Sequence, residues 1–170
     1  MAFEAPNADS SDRYAYTMLN QLLSGGMSSP LKVEIREKRS LVYSVYSAYS
    51  VPKYAPGLFY IGASTGKGNA GELTRVAIEL LGNIARNGFK PEEIEQGVTA
   101  IIRSTESSRE QAATVSDNNL TQVMFQGRII SLEERHAAYK QITSLDIQAA
   151  CARILKSGKI ALAAVGPQDT

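Results

Sequence analysis

Leu41-Val42-Tyr43-Ser44-Val45-Tyr46-Ser47-Ala48-Tyr49-Ser50-Val51 is the stretch whose reading decides the fold. β-Branched and aromatic residues dominate it, and such side chains suit a pleated, half-buried surface, so it predicts a strand. Pro52 to Gly57 supplies a turn, and Leu58-Phe59-Tyr60-Ile61-Gly62-Ala63-Ser64-Thr65 predicts a second strand. A connection that short joins antiparallel neighbours, because a parallel pair needs a long crossover. A hairpin inside a helix-rich chain argues for an α+β fold, an antiparallel sheet backed by helices.

Working outward toward the N-terminus, Met1 to Pro6 reads as the tail of a strand ended by proline. Ser10, Ser11 or Asp12 can cap a helix through Tyr14, Met18, Leu19, Leu22 and Leu23, whose spacing fits a 3.6-residue period. Ser24-Gly25-Gly26 stops it, with glycine expected to supply a left-handed cap. A short helix follows Ser28-Ser29-Pro30, proline suiting the first turn, and carries the i,i+4 pair Glu34 and Lys38.

Toward the C-terminus, a long helix is expected from about Ala70 to Arg86, and Pro91-Glu92-Glu93 opens the next. Ile94 to Gly127 is helical in pattern, with a bend or break expected near Thr114 to Asp117. Ser131-Leu132-Glu133-Glu134 forms a capping box. Ser144 is expected to cap a last helix through Ile147, Cys151, Ile154 and Leu155, which Gly158 ends. Ile160 to Val165 reads as a final buried strand. The expected order is β-α-α-β-β-α-α-α-α-α-β in a single domain, residues 1–170. Met1 opening in mid-strand favours a fragment of a longer chain.

The chain has 170 residues, 44% of them hydrophobic and 21% charged. A chain of this length buries roughly 70% of its unfolded surface, enough for a core without staples. Lys plus Arg number 18 against 17 for Asp plus Glu, a balance that argues against holding nucleic acid or anionic lipid by charge. No apolar run approaches the ~20 residues of a membrane span. The one cysteine, Cys151, cannot close an internal disulfide, and its neighbours Ala149, Ala150 and Ala152 suit a packed helix face better than a nucleophile. His136 is the one histidine, whereas a catalytic zinc takes about three protein ligands, mostly imidazole or thiolate. It is expected at a surface or boundary, and metal or triad chemistry by this chain alone is not expected.

Two motifs imitate phosphate sites. Gly66-Lys67-Gly68-Asn69-Ala70-Gly71 spells G-x-G-x-x-G between a strand and a helix, but the dinucleotide unit also needs a parallel strand about thirty residues on. Here another helix follows, so a glycine-eased turn is expected. Gly62 to Gly68 nearly spells a P-loop, yet has one residue too few between its glycines and Gly68 where a hydroxyl should bind Mg²⁺.

The segment that carries function runs from Ser24 to Tyr46. The backbone amides of Gly25, Gly26 and Met27 can meet a carbonyl or carboxylate, Arg36 offers a planar fork of donors, and Tyr43 stands at a strand entrance. Such groups suit holding a peptide main chain. Charged surface and a boundary tyrosine would look the same in the residues alone.

Ser24-Gly25-Gly26-Met27-Ser28-Ser29-Pro30-Leu31 and Glu34-Ile35-Arg36-Glu37-Lys38-Arg39-Ser40-Leu41-Val42-Tyr43-Ser44 resemble the C-terminal half of the pitrilysin/insulinase family of zinc metallopeptidases. That family includes mitochondrial processing peptidase and insulin-degrading enzyme, and typically shows G-G-G-M-S-S-R-L, then E-x-R-E-K-R-G-L-x-Y-S. The resemblance implies a clamshell of two related halves. Zinc would be bound outside this segment, on an inverted H-x-x-E-H helix of a zinc-bearing N-terminal half or partner subunit. It further implies that Arg36 and Tyr43 hydrogen-bond the backbone of a peptide substrate and support the oxyanion, with Gly25, Gly26 and Met27 as a substrate loop. Pro30 departs from the usual Arg and Ser40 from the usual Gly. The expected function is the substrate-binding, non-zinc domain of a zinc metalloendopeptidase. The alternative is a non-catalytic scaffold or peptide-binding subunit. A bacterial periplasm or cytoplasm is expected over the mitochondrion.

Overall fold

The computed structural model describes residues 1–66 and 68–166. Four strands, β1 (Ala2–Ala5), β2 (Val42–Ser50), β3 (Gly57–Thr65) and β4 (Ile160–Ala161), form one sheet in the order β2-β3-β1-β4. Every neighbouring pair is antiparallel. The helices are α1 (Arg13–Ser24), α2 (Ala70–Asn87), α3 (Pro91–Ser107), α4 (Ala112–Gln126), α5 (Leu132–Lys140) and α6 (Ser144–Lys156), with a short wide-turn helix at Lys32–Glu37. The fold is therefore α+β, an antiparallel sheet backed by helices. β3 leads into α2, and α2 into another helix rather than a parallel strand, so the dinucleotide unit does not form. Lys67 of that glycine motif lies outside the described residues.

Side-chain alternation divides the sheet into two unlike faces. Phe3, Val45, Phe59 and Ile61 point into the core. Against them pack Tyr16, Leu19 and Leu23 of α1, Val76, Ala77 and Leu81 of α2, and Ile147, Cys151 and Ile154 of α6. Tyr16 meets Tyr49 at 5.4 Å and Phe59 at 6.3 Å between ring centroids. Each large apolar side chain so buried stabilises the fold by about 1.5–3 kcal/mol. Burial also pushes the Cys151 thiol up to about 12, as suits a packing group and not a thiolate. The opposite face shows Tyr46, Leu58 and Ser64 to solvent.

Several elements depart from expectation for identifiable reasons. Gly25 closes α1 with φ −72°, not in the left-handed region. Glycine is needed there because a Cβ would lie 2.5 Å from the Gln21 carbonyl oxygen. The break in the long helical tract falls at residues 108–111, upstream of Thr114, where a single tight turn ends in extended Gln111. Thr143, not Ser144, caps α6, accepting from the Asp146 amide while the Asp146 carboxylate accepts from the Thr143 amide. The Ser144 hydroxyl instead clamps Phe89, accepting from its N–H at 3.1 Å and donating to its carbonyl at 2.9 Å. Only half of the Ser131 capping box forms, because the Glu134 carboxylate turns to Arg128. The final strand is two exposed residues, not a buried run from Ile160 to Val165: β1 pairs with it only through Phe3 and Ala2.

Candidate functional site

The path from α1 to β2 is held from several directions. At the end of α1, the Ser24 and Ser47 hydroxyls lie 2.8 Å apart, and Ser47 donates to Asn20 Oδ1 at 2.7 Å, which fixes the helix end over the middle of β2. Gly25, Gly26 and Met27 then turn through solvent, all exposed. The Ser29 amide donates to the Gly26 carbonyl at 3.3 Å and the Val33 amide to the Ser29 carbonyl at 3.0 Å, so the turn feeds straight into the next helix. Ser29 itself is buried, and its hydroxyl has no hydrogen-bond partner.

That helix widens along its length. The Lys38 amide reaches back five residues to the Val33 carbonyl at 2.9 Å, and the Leu41 amide six residues to Ile35 at 3.1 Å. Wide turns of this kind are rare and recur at functional sites. Ile35 anchors the helix in the core, which leaves Arg36 on the solvent side. Glu34 accepts from both Lys38 and Arg39, and these two bonds, Lys38 first, hold its carboxyl below the usual range. Arg36 is left with no ion pair or side-chain hydrogen bond among the described residues. Lys38 and Arg39 are neutralised by Glu34, and Arg36 is not.

Ser40 carries φ +51°, the one non-glycine residue with positive φ among those described. Its position matches the glycine that the resemblance expected, so the serine keeps the left-handed turn in spite of its Cβ. The chain then enters β2 through a bulge. Val42 pairs with Thr65 and Ser44 with Ser64, leaving Tyr43 as the extra residue. A bulge re-aims its side chain, and Tyr43 is 84% exposed with its hydroxyl unbonded among the described residues. The hairpin behind the bulge is firm: the Thr65 hydroxyl donates to the Leu41 carbonyl at 2.6 Å.

Arg36 and Tyr43 thus flank one tight turn, two free donors facing solvent. Gly25 to Met27 lie at the other end of the short helix, on the order of 10 Å away along its axis. The predicted residues therefore form two stations and not a single cluster. The residues themselves did not betray Tyr46, whose ring stands against Gly62: a Cβ there would lie 2.5 Å from Tyr46 Cζ. The signal available was an isolated glycine within a strand, which marks a close approach.

Zinc does not fit the described residues of this chain. Among the described residues no group of three or more His, Cys, Asp or Glu is placed to hold a metal. Cys151 is buried in the core, and His136 is half-buried on α5 with Nε2 unpartnered. Away from the site, a cavity of about 400 Å³ lies between α1, α5 and α6, and the Asp12–Arg153 ion pair lines it. No described helix is long and apolar enough to cross a membrane.

Residues 1–101 match the family model described as the peptidase M16 inactive domain. An uncharacterized zinc protease of Rickettsia bellii is 34% identical over 158 residues, covering 92% of this chain and 37% of the relative. Another, from Streptomyces coelicolor, is 30% identical over 155 residues, covering 91% and 33%. The chain thus spans about a third of the length of these relatives. A peptidase M16 inactive domain from Pseudomonas fluorescens has a similar structure, with TM-score 0.73, 25% identity, and coverage of 90% of this chain and 36% of that one. A protease from Helicobacter pylori is similar in fold at TM-score 0.79, with 18% identity and coverage of 91% and 37%.

Proposed function

We propose that this chain, which belongs to the peptidase M16 inactive-domain family, is the substrate-clamping domain of a longer zinc-dependent metalloendopeptidase. In this reading zinc is held by another half of the protein or by a partner subunit of the same family, and this domain contributes donors to the substrate's main chain. The observation that carries it is the pair Arg36 and Tyr43, solvent-facing, unpaired and set on either side of one rigid turn.

The chemistry follows from charge. When water attacks a peptide carbonyl, negative charge builds on its oxygen, and a donor already in place binds that oxygen more tightly than the ground-state carbonyl. Arg36 supplies a permanent cation with a planar fork of N–H groups, and Tyr43 a neutral O–H. Both sit on backbone fixed by the Leu41 and Thr65 hydrogen bonds, so little reorganisation is needed when charge appears. The glycine turn can take a more distant part of the peptide through its amides.

The test is kinetic and uses the full-length enzyme. Arg36→Ala and Tyr43→Phe are each expected to lower kcat/KM roughly 10²-fold on a peptide substrate, as the loss of one oxyanion donor does. Unchanged kinetics would make the pair structural. Peptide binding without turnover in the unaltered protein would replace an enzyme domain by a peptide-binding scaffold.

A further inference from the structure

One stripe of α6 joins two opposite charges across small residues. Asp146, Ala149, Ala150 and Arg153 stand at i, i+3, i+4 and i+7, which places them on a single face of the helix. That face is one wall of the cavity of about 400 Å³ between α1, α5 and α6, at the small end of the roughly 300–1,000 Å³ of ligand sites. Ala15 of α1 and Ala138 of α5 complete its floor, so alanines leave room that larger side chains would fill. The cavity lies at the start of α1, roughly 20 Å along that helix from Gly25. Its polar groups are incompletely used. Asp146 accepts from the Thr143 amide and hydroxyl, and both bonds fall on Oδ2, so Oδ1 is unbonded among the described residues. Arg153 meets Asp12 through Nη1, which leaves the other edge of its planar fork. The Ser11 hydroxyl and the Gln141 side-chain amide, also on the wall, have no hydrogen bond among the described residues.

We propose that this cavity binds short peptides of about three residues by their two free ends, the ammonium on Asp146 and the carboxylate on Arg153. Seven positions of an α-helix rise about 10 Å, and three extended residues span on the order of 10 Å. One such peptide therefore reaches both charges, and a single amino acid does not. Each end meets an ionised partner, which gives the stronger, charge-assisted class of hydrogen bond. Between the ends the alanine floor accepts small apolar side chains, and Ser11 and Gln141 can serve the N–H and C=O groups of the peptide. A phosphate ligand is disfavoured, because it would face the carboxylates of Asp12 and Asp146 with Arg153 already shared. The site stands on its own geometry and does not depend on the proposed function.

The experiment titrates the full-length protein with trialanine by calorimetry, beside its N-acetylated form, its C-terminal amide and free alanine. Trialanine should bind saturably with a Kd of about 1 mM or tighter, and each of the other three at least about tenfold more weakly. Asp146→Asn should remove the preference over the acetylated form alone, and Arg153→Gln the preference over the amide alone. A general loss of folding would not separate the two ends in that way. Because Asp146 also caps α6, Ala149→Leu is a second probe: it fills the floor and should abolish trialanine binding without lowering Tm. Arg36→Ala should leave trialanine binding unchanged. Loss of binding in that variant would place the peptide at the proposed substrate site and overturn the cavity. Equal binding of all four ligands, no saturable binding of trialanine, or trialanine binding that survives Ala149→Leu would overturn it as well.

Discussion

α1 and α4 are made of similar material and the fold treats them oppositely. Met18, Leu19 and Leu23 of α1 have no exposed surface, packed between the sheet and the other helices. α4 leaves Leu120 59% and Met124 58% exposed, and turns Gln122 inward. The glutamine is buried because its carbonyl accepts from the Ile130 amide at 2.9 Å, a backbone donor that would otherwise be left without a partner. Apolar residues at helical spacing permit burial; a facing element decides whether it happens.

The largest effect that tests this contrast is a pair of core truncations. Leu19→Ala is expected to destabilise by about 2–5 kcal/mol, and Leu120→Ala by no more than about 0.5 kcal/mol, in denaturant unfolding. A large loss from Leu120→Ala in the full-length protein, absent in residues 1–170, would show that α4 is covered there and would end the contrast.

Constraint on the α1 side extends into its loop, and two adjacent glycines measure how far. Gly25→Ala drives a Cβ onto the Gln21 carbonyl and is expected to cost about 1–3 kcal/mol, whereas Gly26, open on all sides, should accept alanine within about 0.5 kcal/mol. Equal tolerance would mean that the end of α1 gives way freely. Ser40→Gly relieves the left-handed serine and should stabilise by about 1 kcal/mol, visible as a raised Tm, with no comparable gain from glycine elsewhere in the turn.

The smallest effect is electrostatic. The Thr143 hydroxyl and amide hold the Asp146 carboxyl below its ordinary 3.8. A lowered folded-state value means stability that is fully present above 3.8 and lost as pH falls through the lowered value. Asp146→Asn should therefore flatten the acid limb of stability slightly, and a limb unchanged by it would assign the slope to other carboxylates.

Much of the fold was readable along the chain. The 42–50 and 57–65 hairpin, the helix order and the α+β class follow from local periods of two and 3.6 residues, which are properties of neighbours in sequence. Arg36, Tyr43 and the glycine turn stood out through residue type and a resemblance over residues 24–44. Thr143 displaced Ser144 as a cap because Ser144 had a second partner, Phe89, fifty-five residues away. Glu134 left its capping box for Arg128 in the same way. β4 shrank because a strand is only as long as the neighbour that pairs with it.

By itself, the sequence determined which segments become strands and helices, and singled out the side chains that the proposed function sets against a peptide backbone. Tertiary structure alone decided that Tyr43 is the unpaired residue of a bulge, that β2 stands at the rim, and that Lys38 and Arg39 find a carboxylate while Arg36 has none among the described residues. The physical reason is that periodicity is local chemistry, whereas register, rim position and ion pairing depend on which distant groups the folded chain brings within hydrogen-bond reach.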